Sequence, residues 1–380
     1  MLPFDFNPRT RVVFGQGALS RLGHLARDLT FRRTVLVADR GLVEAGHVAT
    51  ALRLLEHEGI AVTAFHDFGE NPDSAMVETG LAVAAAFEPD SIVGLGGGSS
   101  LDCAKGINFL LTNGGAMADY RGYGKAGTPL LPAILVPTTA GTGSEAQSYA
   151  VIADAGTHMK MACGDPSAAA RVALLDPALT VTAPRHVTAM AGIDAIAHAV
   201  ESSVTTRRTP MSDVFAHKAW HLLDTAFERV LLHEADIEAR SAMQLGAHYA
   251  GMAIEQSMLG AAHACANPLT ARYHLAHGLA LAILLPHVVR WNAGAARDRY
   301  EAMLGIPRRR LGDEDPAERL ARRLEDLISV AGLPVRLSDG GVEAAALPEL
   351  AQLAAQQWTG TFNPRPFDAA GALEIYRAAL

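Results

Sequence analysis

The sequence predicts an N-terminal α/β domain with a mostly parallel sheet over residues 1–183 and an all-helical C-terminal domain over residues 184–380. The first observation behind this prediction is that short apolar runs alternate with helix-like segments through the first half of the chain. The second is that the pattern from about Pro184 onward is helical, with few β-branched runs. The third is the stretch DPALTVTAPRH, whose two prolines mark the boundary.

The elements of the N-terminal half follow one another in strand–helix order. Buried strands are predicted at residues 34–40, 61–66, 91–95, 132–137 and 171–176 from their short apolar runs. Helices are predicted over 42–59, which ends at Gly59, over 74–87, which Ser74 caps, and over 101–111. Helices are therefore expected on both faces of the sheet, with a ligand in the cleft between the two domains.

Composition excludes several classes of function. The 380 residues carry a formal net charge of −8 and no prominent basic stretch, which argues against a nucleic-acid partner. The N-terminus has no signal-peptide pattern, and the apolar stretch LALAILLPHVV is too short to span a bilayer and is interrupted by Pro286. Three cysteines without a CxxC pair favour a reducing compartment, so we expect a cytoplasmic protein with no membrane partner.

A glycine-rich loop, GLGGGSS, follows the predicted strand at 91–95 and opens a helix. Glycines let backbone N–H groups approach a ligand closely, and a helix N-terminus attracts anions, so a phosphate is the expected ligand. The usual GxGxxG fingerprint with a later acidic residue is absent, because Asp39 ends an earlier strand. A variant nucleotide site is expected instead, with the loop on the pyrophosphate and Asp39 on a ribose diol. The alternatives are a tight strand–helix connection and a turn aspartate.

A second polar loop, PTTAGTGSEAQ at 137–147, also follows a predicted strand. Its four hydroxyl side chains and two glycines suit a cradle for phosphate, ribose or amide. Two such loops at the same edge of one sheet support each other as parts of a cofactor site.

The helical half contains a candidate metal site in the segment TAMAGIDAIAHAVES. Asp194 and His198 lie four residues apart on one face of an otherwise apolar helix, and burying them without partners is costly. A divalent metal is one partner, and a hydrogen-bonded Asp–His pair in the core is the alternative. Glu201 lies on the same face and either supports the site or is solvated.

Other histidines complete or compete for this site. His217 and His221 share the same spacing, but they lie on the polar stripe of an amphipathic helix and are rejected as ligands. His263 and His277 sit in apolar surroundings and are expected to converge with Asp194 and His198 on one metal. His274 and His287 are nearby alternatives.

Taken together, these motifs resemble the iron-containing, group III alcohol dehydrogenase family over essentially the whole chain. The resemblance rests on GGGSSLDCAK, PTTAGTGSE, LLDPALT, GIDAIAHAVE and HGLALAILLP. It implies a dinucleotide-binding α/β domain followed by an all-helical metal domain, the fold shared with dehydroquinate synthase. It also implies NAD- or NADP-linked interconversion of alcohols with aldehydes or ketones, and a homodimer or higher homo-oligomer.

The resemblance also assigns site residues. It implies a divalent metal, iron(II) in preference to zinc, held by Asp194, His198, His263 and His277. The implied cofactor-binding residues are Asp39, which favours NAD over NADP, Asn71, Gly97, Gly98, Ser99, Asp102, Thr138, Thr139, Thr142 and Lys160. The metal would act as a Lewis acid on the oxygen of a small alcohol or aldehyde substrate.

One segment departs from the family pattern HAxAHPLG. Here the sequence is HACANPLT, so Asn267 replaces a histidine near the nicotinamide and Thr270 replaces a glycine. Asparagine cannot titrate, so we expect Asn267 to orient a polar substrate and the proton to take another route, with a water on the ribose hydroxyls or His274 as candidates. Two alternative functions stay open: a lyase or cyclase that uses NAD transiently, and a catalytically inactive homologue.

Overall fold

The computed structural model describes residues 4–305 and 314–380. The chain packs as two compact units, Asn7–Ala183 and Pro184–Leu380, and the described residues up to Phe6 belong to the second of these. Phe6 places its ring 5.7 Å from that of Phe215 in the helical unit. The described residues before Asn7 thus pack with the helical unit, whereas the sequence assigns them to the α/β domain. The reason is that the ring of Phe6 packs against an aromatic ring of the helical unit.

The first unit is built on a six-stranded sheet in the order β1-β9-β6-β4-β2-β3, in which every neighbouring pair is parallel. A separate three-stranded sheet has the order β5-β8-β7. The strands are β1 (Arg11–Phe14), β2 (Arg33–Val37), β3 (Ala61–Phe65), β4 (Ser91–Gly96), β5 (Gly122–Tyr123), β6 (Ala133–Pro137), β7 (Tyr149–Ala153), β8 (Lys160–Gly164) and β9 (Val172–Leu175). The predicted fold class is confirmed.

Helices cover both faces of the main sheet, which is why its central strands are apolar on both sides. Along β2, Val35 and Val37 pack into one core and Leu36 packs into the other, as the two-residue repeat of a strand requires. The helices of this unit are α1 (Leu22–Asp28), α2 (Arg40–Glu44), α3 (His47–His57), α4 (Ser74–Phe87) and α5 (Gly98–Asn113).

Local differences from the predicted elements have identifiable causes. The single helix predicted over 42–59 is two helices, because Gly46 adopts a left-handed conformation with φ of 80° between them. Asp73 rather than Ser74 caps α4, since its side chain accepts a hydrogen bond from the Met76 N–H. The strands β1 and β5 escape sequence analysis because they are short and largely exposed.

The second unit is all-helical, as the sequence predicts. Its helices are α6 (Arg185–Ser202), α7 (Pro210–Leu232), α8 (Ile237–Ser257), α9 (Ala261–Tyr273), α10 (His277–Trp291), α11 (Ala293–Leu304), α12 (Pro316–Ala331), α13 (Leu347–Ala355) and α14 (Ala369–Ala379). Within the described ranges, none of the helices has on its own the length and apolar character needed to cross a bilayer; only α10 and α11 together do, across a 108° bend.

Candidate metal centre and cofactor loops

Helix α6 supplies the first residues of the candidate metal centre. The helix is buried over almost all of its C-terminal half, and Asp194 and His198 follow each other by one turn in that part. Both are 5% exposed. Their i,i+4 spacing therefore places two chemically reactive side chains together inside the core of the helical unit.

Three helices bring the four predicted metal ligands together. The Oδ1 atom of Asp194 lies 3.3 Å from the Nε2 of His198, 3.6 Å from the Nε2 of His263 and 3.9 Å from the Nε2 of His277. His263 stands near the start of α9, and His277 is the first residue of α10. One ligand atom each from Asp194, His263 and His277 lie within 4.8 Å of one another. The rings of His198 and His263 stack with centroids 4.9 Å apart.

The donor atoms fit a divalent metal. The Oδ1 of Asp194 and the Nε2 of His263 are fully buried, and neither makes a hydrogen bond of normal geometry to any described residue. Orphaned buried polar atoms are costly, and a cation placed among them satisfies both at once. One carboxylate and three imidazoles are a donor set that suits iron(II) and zinc alike.

Glu201 supports this centre. The sequence left two roles open for it, supporting the site or being solvated. Its side chain is buried, its Oε1 accepts a hydrogen bond of 2.7 Å from the backbone N–H of Ala262, and its Oε2 accepts one of 2.5 Å from the Nδ1 of His263. The proton of His263 is thereby held on Nδ1, which leaves the Nε2 lone pair directed at the ligand cluster.

Charge within the centre shifts the pKa values of two ligands. Burial alone raises the pKa of Asp194, but the neighbouring histidines, His198 foremost, outweigh burial and hold it well below its usual range. Burial alone lowers the pKa of His263, but the carboxylates of Glu201 and Asp194 outweigh it and raise the pKa to about 9. Both pKa shifts stabilise the charged forms of Asp194 and His263 relative to their neutral forms.

The four other candidate histidines of the helical unit lie outside this ligand cluster. His217 and His221 are on α7, and His287 is on α10, where burial and the nearby Arg290 lower its pKa. His274 is exposed and ends α9 in a left-handed conformation with φ of 53°. Among the described residues, the group whose potential ligand atoms lie within 4.8 Å of one another contains Asp194, His263 and His277 and none of these four.

In the α/β unit, the two polar loops touch each other at the carboxyl ends of β4 and β6. Gly97 caps α5, and a side chain on Gly98 would collide with Thr142, whose nearest atom would lie 2.4 Å from an added Cβ. The Thr138 N–H donates to the Gly96 carbonyl at 3.0 Å. Thr139 lies 3.3 Å from where a Cβ of Gly97 would be. Close packing therefore requires glycine at position 98, whereas a side chain at position 97 would make only a tight contact.

Asp39 and Asn71 join these loops from neighbouring strands. Asp39 follows β2 and caps α2 through the Leu42 N–H, and its other oxygen accepts a hydrogen bond of 3.1 Å from Ser100 in α5. Asn71 has a φ of 50°, and its N–H donates to the Oγ of Ser99 at 3.3 Å. Residues separated by up to 61 positions in the sequence thus meet beside the N-terminus of α5.

Behind the loops lies a buried charged network that includes a residue the sequence analysis did not single out. The ammonium of Lys105, 2% exposed, donates to the Ser144, Gln147 and Tyr149 carbonyls at 2.7–2.9 Å and to the Ser144 hydroxyl. Ser144 in turn donates to Asp102 at 2.6 Å. Burial raises the pKa of Asp102, against the opposing charges of Lys105 and Lys160. Lys105 therefore fixes the end of the second loop.

Asn267 lies one helical turn after His263 on α9 and is half-buried. Its Nδ2 donates to the Oε1 of Gln357 at 3.1 Å. Gln357, which is 8% exposed, is a second residue without a signal in the sequence, since 90 positions separate the pair.

Comparison with known proteins assigns both units. Family models described as "Iron-containing alcohol dehydrogenase" and "Fe-containing alcohol dehydrogenase family, C-terminal" match residues 8–177 and 188–380. Alcohol dehydrogenase 4 of Schizosaccharomyces pombe is 36% identical over 93% of this chain and 83% of its own length. The NAD-dependent methanol dehydrogenase of Bacillus methanolicus is 32% identical, with 97% of each chain covered.

A solved structure agrees with the sequence relatives. The crystal structure of a 1,3-propanediol oxidoreductase superposes with a TM-score of 0.95 at 32% identity, covering 100% of both chains. The family models, the relatives and the buried ligand cluster lead to one conclusion. This chain belongs to the iron-containing alcohol dehydrogenase family and is a metal-dependent alcohol oxidoreductase.

Proposed function

We propose that this protein is an NAD-dependent dehydrogenase that interconverts a small alcohol with its aldehyde or ketone and uses iron(II) in preference to zinc. The observation that carries the proposal is the pair of buried, unsatisfied ligand atoms, Oδ1 of Asp194 and Nε2 of His263. A structural Asp–His pair would satisfy these atoms internally, whereas a metal ligand set must leave them open.

The residues of the helical unit hold and shield the reacting centre. Asp194, His198, His263 and His277 would hold the metal, which when bound supplies a Lewis acid for the substrate oxygen. Glu201 keeps the His263 ring in one tautomer and one orientation. The burial of Asp194, His198 and His263 excludes water from the ligand atoms, which strengthens their charge interactions.

The loops of the α/β unit would hold the dinucleotide. Gly97, Gly98 and Ser99 present backbone N–H groups at the N-terminus of α5 for the pyrophosphate. The polar groups expected around the rest of the cofactor are Asn71, Asp102, Thr138, Thr139, Thr142 and Lys160. Asp39 supports NAD over NADP because its carboxylate would accept from a ribose diol and repel a ribose phosphate. The named NAD dependence of the Bacillus methanolicus relative supports the same choice.

The proton route needs a group other than Asn267, which cannot titrate. We assign His274 or a water on the ribose hydroxyls to this role. The exposure of His274 supports exchange of a proton with solvent.

We also propose a cytoplasmic homo-oligomer, most simply a homodimer. The three cysteines, all free and buried, are consistent with a reducing compartment.

The proposal is tested with enzyme stripped of metal and reconstituted with iron(II) or zinc, assayed for NADH formation on a panel of alcohols. We expect activity only after reconstitution, with NAD used more efficiently than NADP. His263→Ala should lose bound metal and turnover together, while the exposed His221→Ala keeps both. Full activity of the metal-free protein would refute the metal site. The absence of net NADH formation, with product formed nonetheless, would favour a lyase or cyclase.

A further inference from the structure

The N-terminus of α9, the helix that carries one of the proposed metal ligands, has no cap of its own. Gly260 precedes the helix and offers no side chain, and the first N–H groups of a helix have no partner within it. Two side chains from distant parts of the unit take this place. The Oδ1 of Asn363 accepts a hydrogen bond from the Ala261 N–H at 3.2 Å. The Oε1 of Glu201 accepts one from the Ala262 N–H at 2.7 Å.

The absence of a side chain at Gly260 gives these two acceptors their room. A Cβ added at this position would lie 2.9 Å from the Oδ1 of Asn363 and 3.1 Å from the Oε1 of Glu201. The first distance is shorter than real Cβ contacts, so an alanine here would displace the Asn363 amide. Asn363 and Glu201 thus close around the first turn of α9 together.

The amide of Asn363 is held in one orientation by partners on both of its ends. Its Oδ1 also accepts from the Nδ2 of Asn292 at 3.1 Å. Its Nδ2 donates to the Oδ1 of Asn292 and to the Arg365 carbonyl, both at 2.8 Å. Rotating the amide by 180° would set its Nδ2 against the Ala261 N–H and its Oδ1 against the Arg365 carbonyl. Asn363 and Asn292 are both buried, so water does not replace a lost partner.

We infer that Asn363 is a positioning residue of the metal centre, which holds the first turn of α9 where Glu201 can orient His263. This inference rests on the proposed metal site and deepens it. The same Glu201 carboxylate binds the Ala262 N–H and, at 2.5 Å, the Nδ1 of His263. A turn that moves away from Asn363 therefore also moves the His263 ring relative to the carboxylate that orients it. Asn363 acts on the metal through the backbone of α9.

Asn363→Ala tests this role with cobalt(II), which binds nitrogen and oxygen donors as iron(II) does and is visible by its absorption spectrum. The variant leaves the Ala261 N–H without its acceptor. Cobalt(II) affinity should fall about three- to tenfold, the effect of one neutral hydrogen bond, and the spectrum of the bound ion should change. In the metal-free protein, hydrogen exchange of a peptide that covers the start of α9 should become faster.

The matched control is Asn108→Ala in the α/β unit. Asn108 is also a buried asparagine whose amide holds a backbone segment, since it donates to the Leu131 carbonyl and accepts from the Leu131 N–H, both at 2.9 Å. Its loss should destabilise the protein in the same way. Cobalt(II) affinity, the spectrum of the bound ion and exchange at the start of α9 should nevertheless stay as in the wild type.

Gly260→Ala tests the same contact without removing any hydrogen-bonding group, and it decides the question should Asn363→Ala not fold. The added methyl group displaces the Asn363 amide, so cobalt(II) binding should weaken as in Asn363→Ala. Gly294→Ala is the control, because Gly294 is exposed and an added Cβ there meets no atom within 4 Å. The control should bind cobalt(II) as the wild type does.

Cobalt(II) affinity in Asn363→Ala equal to that in Asn108→Ala would overturn the inference, as would wild-type cobalt(II) affinity in Gly260→Ala. Failure of the proposed metal site would also overturn it but has a different appearance. In that case the wild type itself binds no cobalt(II), while exchange at the start of α9 still differs between Asn363→Ala and Asn108→Ala.

Discussion

Replacing Glu201 with glutamine changes one oxygen of the carboxylate that holds His263, and so tests whether that carboxylate supports the metal centre. Both partners of the Glu201 carboxylate are donors, the Ala262 N–H at 2.7 Å and the His263 Nδ1 at 2.5 Å. A glutamine side chain has one acceptor oxygen and one donor nitrogen, so it can satisfy only one of them. In Glu201→Gln, either the start of α9 or the ring of His263 therefore loses its partner, and in both cases His263 loses the negative charge beside it.

The size of the effect follows from this geometry. A hydrogen bond to a charged group contributes about 1.5–3 kcal/mol, and one such bond is lost. Because about 1.4 kcal/mol corresponds to a tenfold change in an equilibrium constant, metal affinity should fall about 10- to 100-fold. The same range is typical when a group that orients a metal-bound histidine is removed.

The assay is competition for iron(II) or zinc between the protein and a chromogenic chelator. Glu228→Gln on α7 is the matched control, since that carboxylate is exposed. Circular dichroism of both variants checks that the helices are retained. Metal affinity in Glu201→Gln equal to that of the control would show that His263 does not need its carboxylate, and the reasoning would fail.

Four further predictions concern Asp39, Lys105 and His263. Asp39→Asn keeps a side chain that can cap α2 but removes the charge, so the preference for NAD over NADP should narrow or reverse. An unchanged ratio of the KM values for NAD and NADP would contradict our placement of Asp39. Lys105→Met should lower the free energy of unfolding by about 3 kcal/mol, because one buried and two partly buried carbonyls lose a charged donor, and it should raise KM for NAD. The exposed Lys125→Met should change neither quantity in denaturant titrations and steady-state kinetics. The raised pKa of His263, about 9, means that the metal must displace a proton below that pH; apparent metal affinity should fall about tenfold per pH unit as the pH is lowered from 9, and calorimetry in buffers of different ionisation enthalpy should detect the released proton. Pairing of His263 with its carboxylates in the metal-free protein should be fully stabilising below pH 6.5 and lost as the pH rises through 9.

Sequence periodicity located much of the fold because the central strands are buried on both faces. The predicted strand at 91–95 corresponds to β4, Ser91–Gly96, whose residues are all buried. Periodicity could not locate β1, where only Val13 of four residues is buried. It also could not divide the helix predicted over 42–59, because a glycine within a helical pattern gives no indication of its φ angle.

The site residues that the sequence missed depend on distant partners. Asp194 and His198 are recognisable because four-residue spacing in an apolar segment is a local signal. Whether Glu201 is solvated or supporting depends on α9, which begins 60 residues later in the chain. Lys105 has no local signal beyond its apolar neighbours, since its acceptors lie 39 to 44 positions away. Gln357 is recognisable only through the contact with Asn267.

The pairing of the first strand with the last has a consequence for how the α/β unit forms during synthesis. β1 pairs with β9, and the Gly17 N–H donates to Asp176, 159 residues further along the chain. At about 5–20 residues per second, the ribosome completes β9 roughly 8–30 s after β1. During that interval β1 has no strand to join, and the apolar β6 is left as an edge of the nascent sheet. A chain shortened by loss of β1 would have the wholly buried, apolar β9 as its edge strand in place of the largely exposed β1. Val172–Leu175 would then present unpaired N–H and C=O groups to other molecules, and aggregation rather than loss of catalysis would be its first defect.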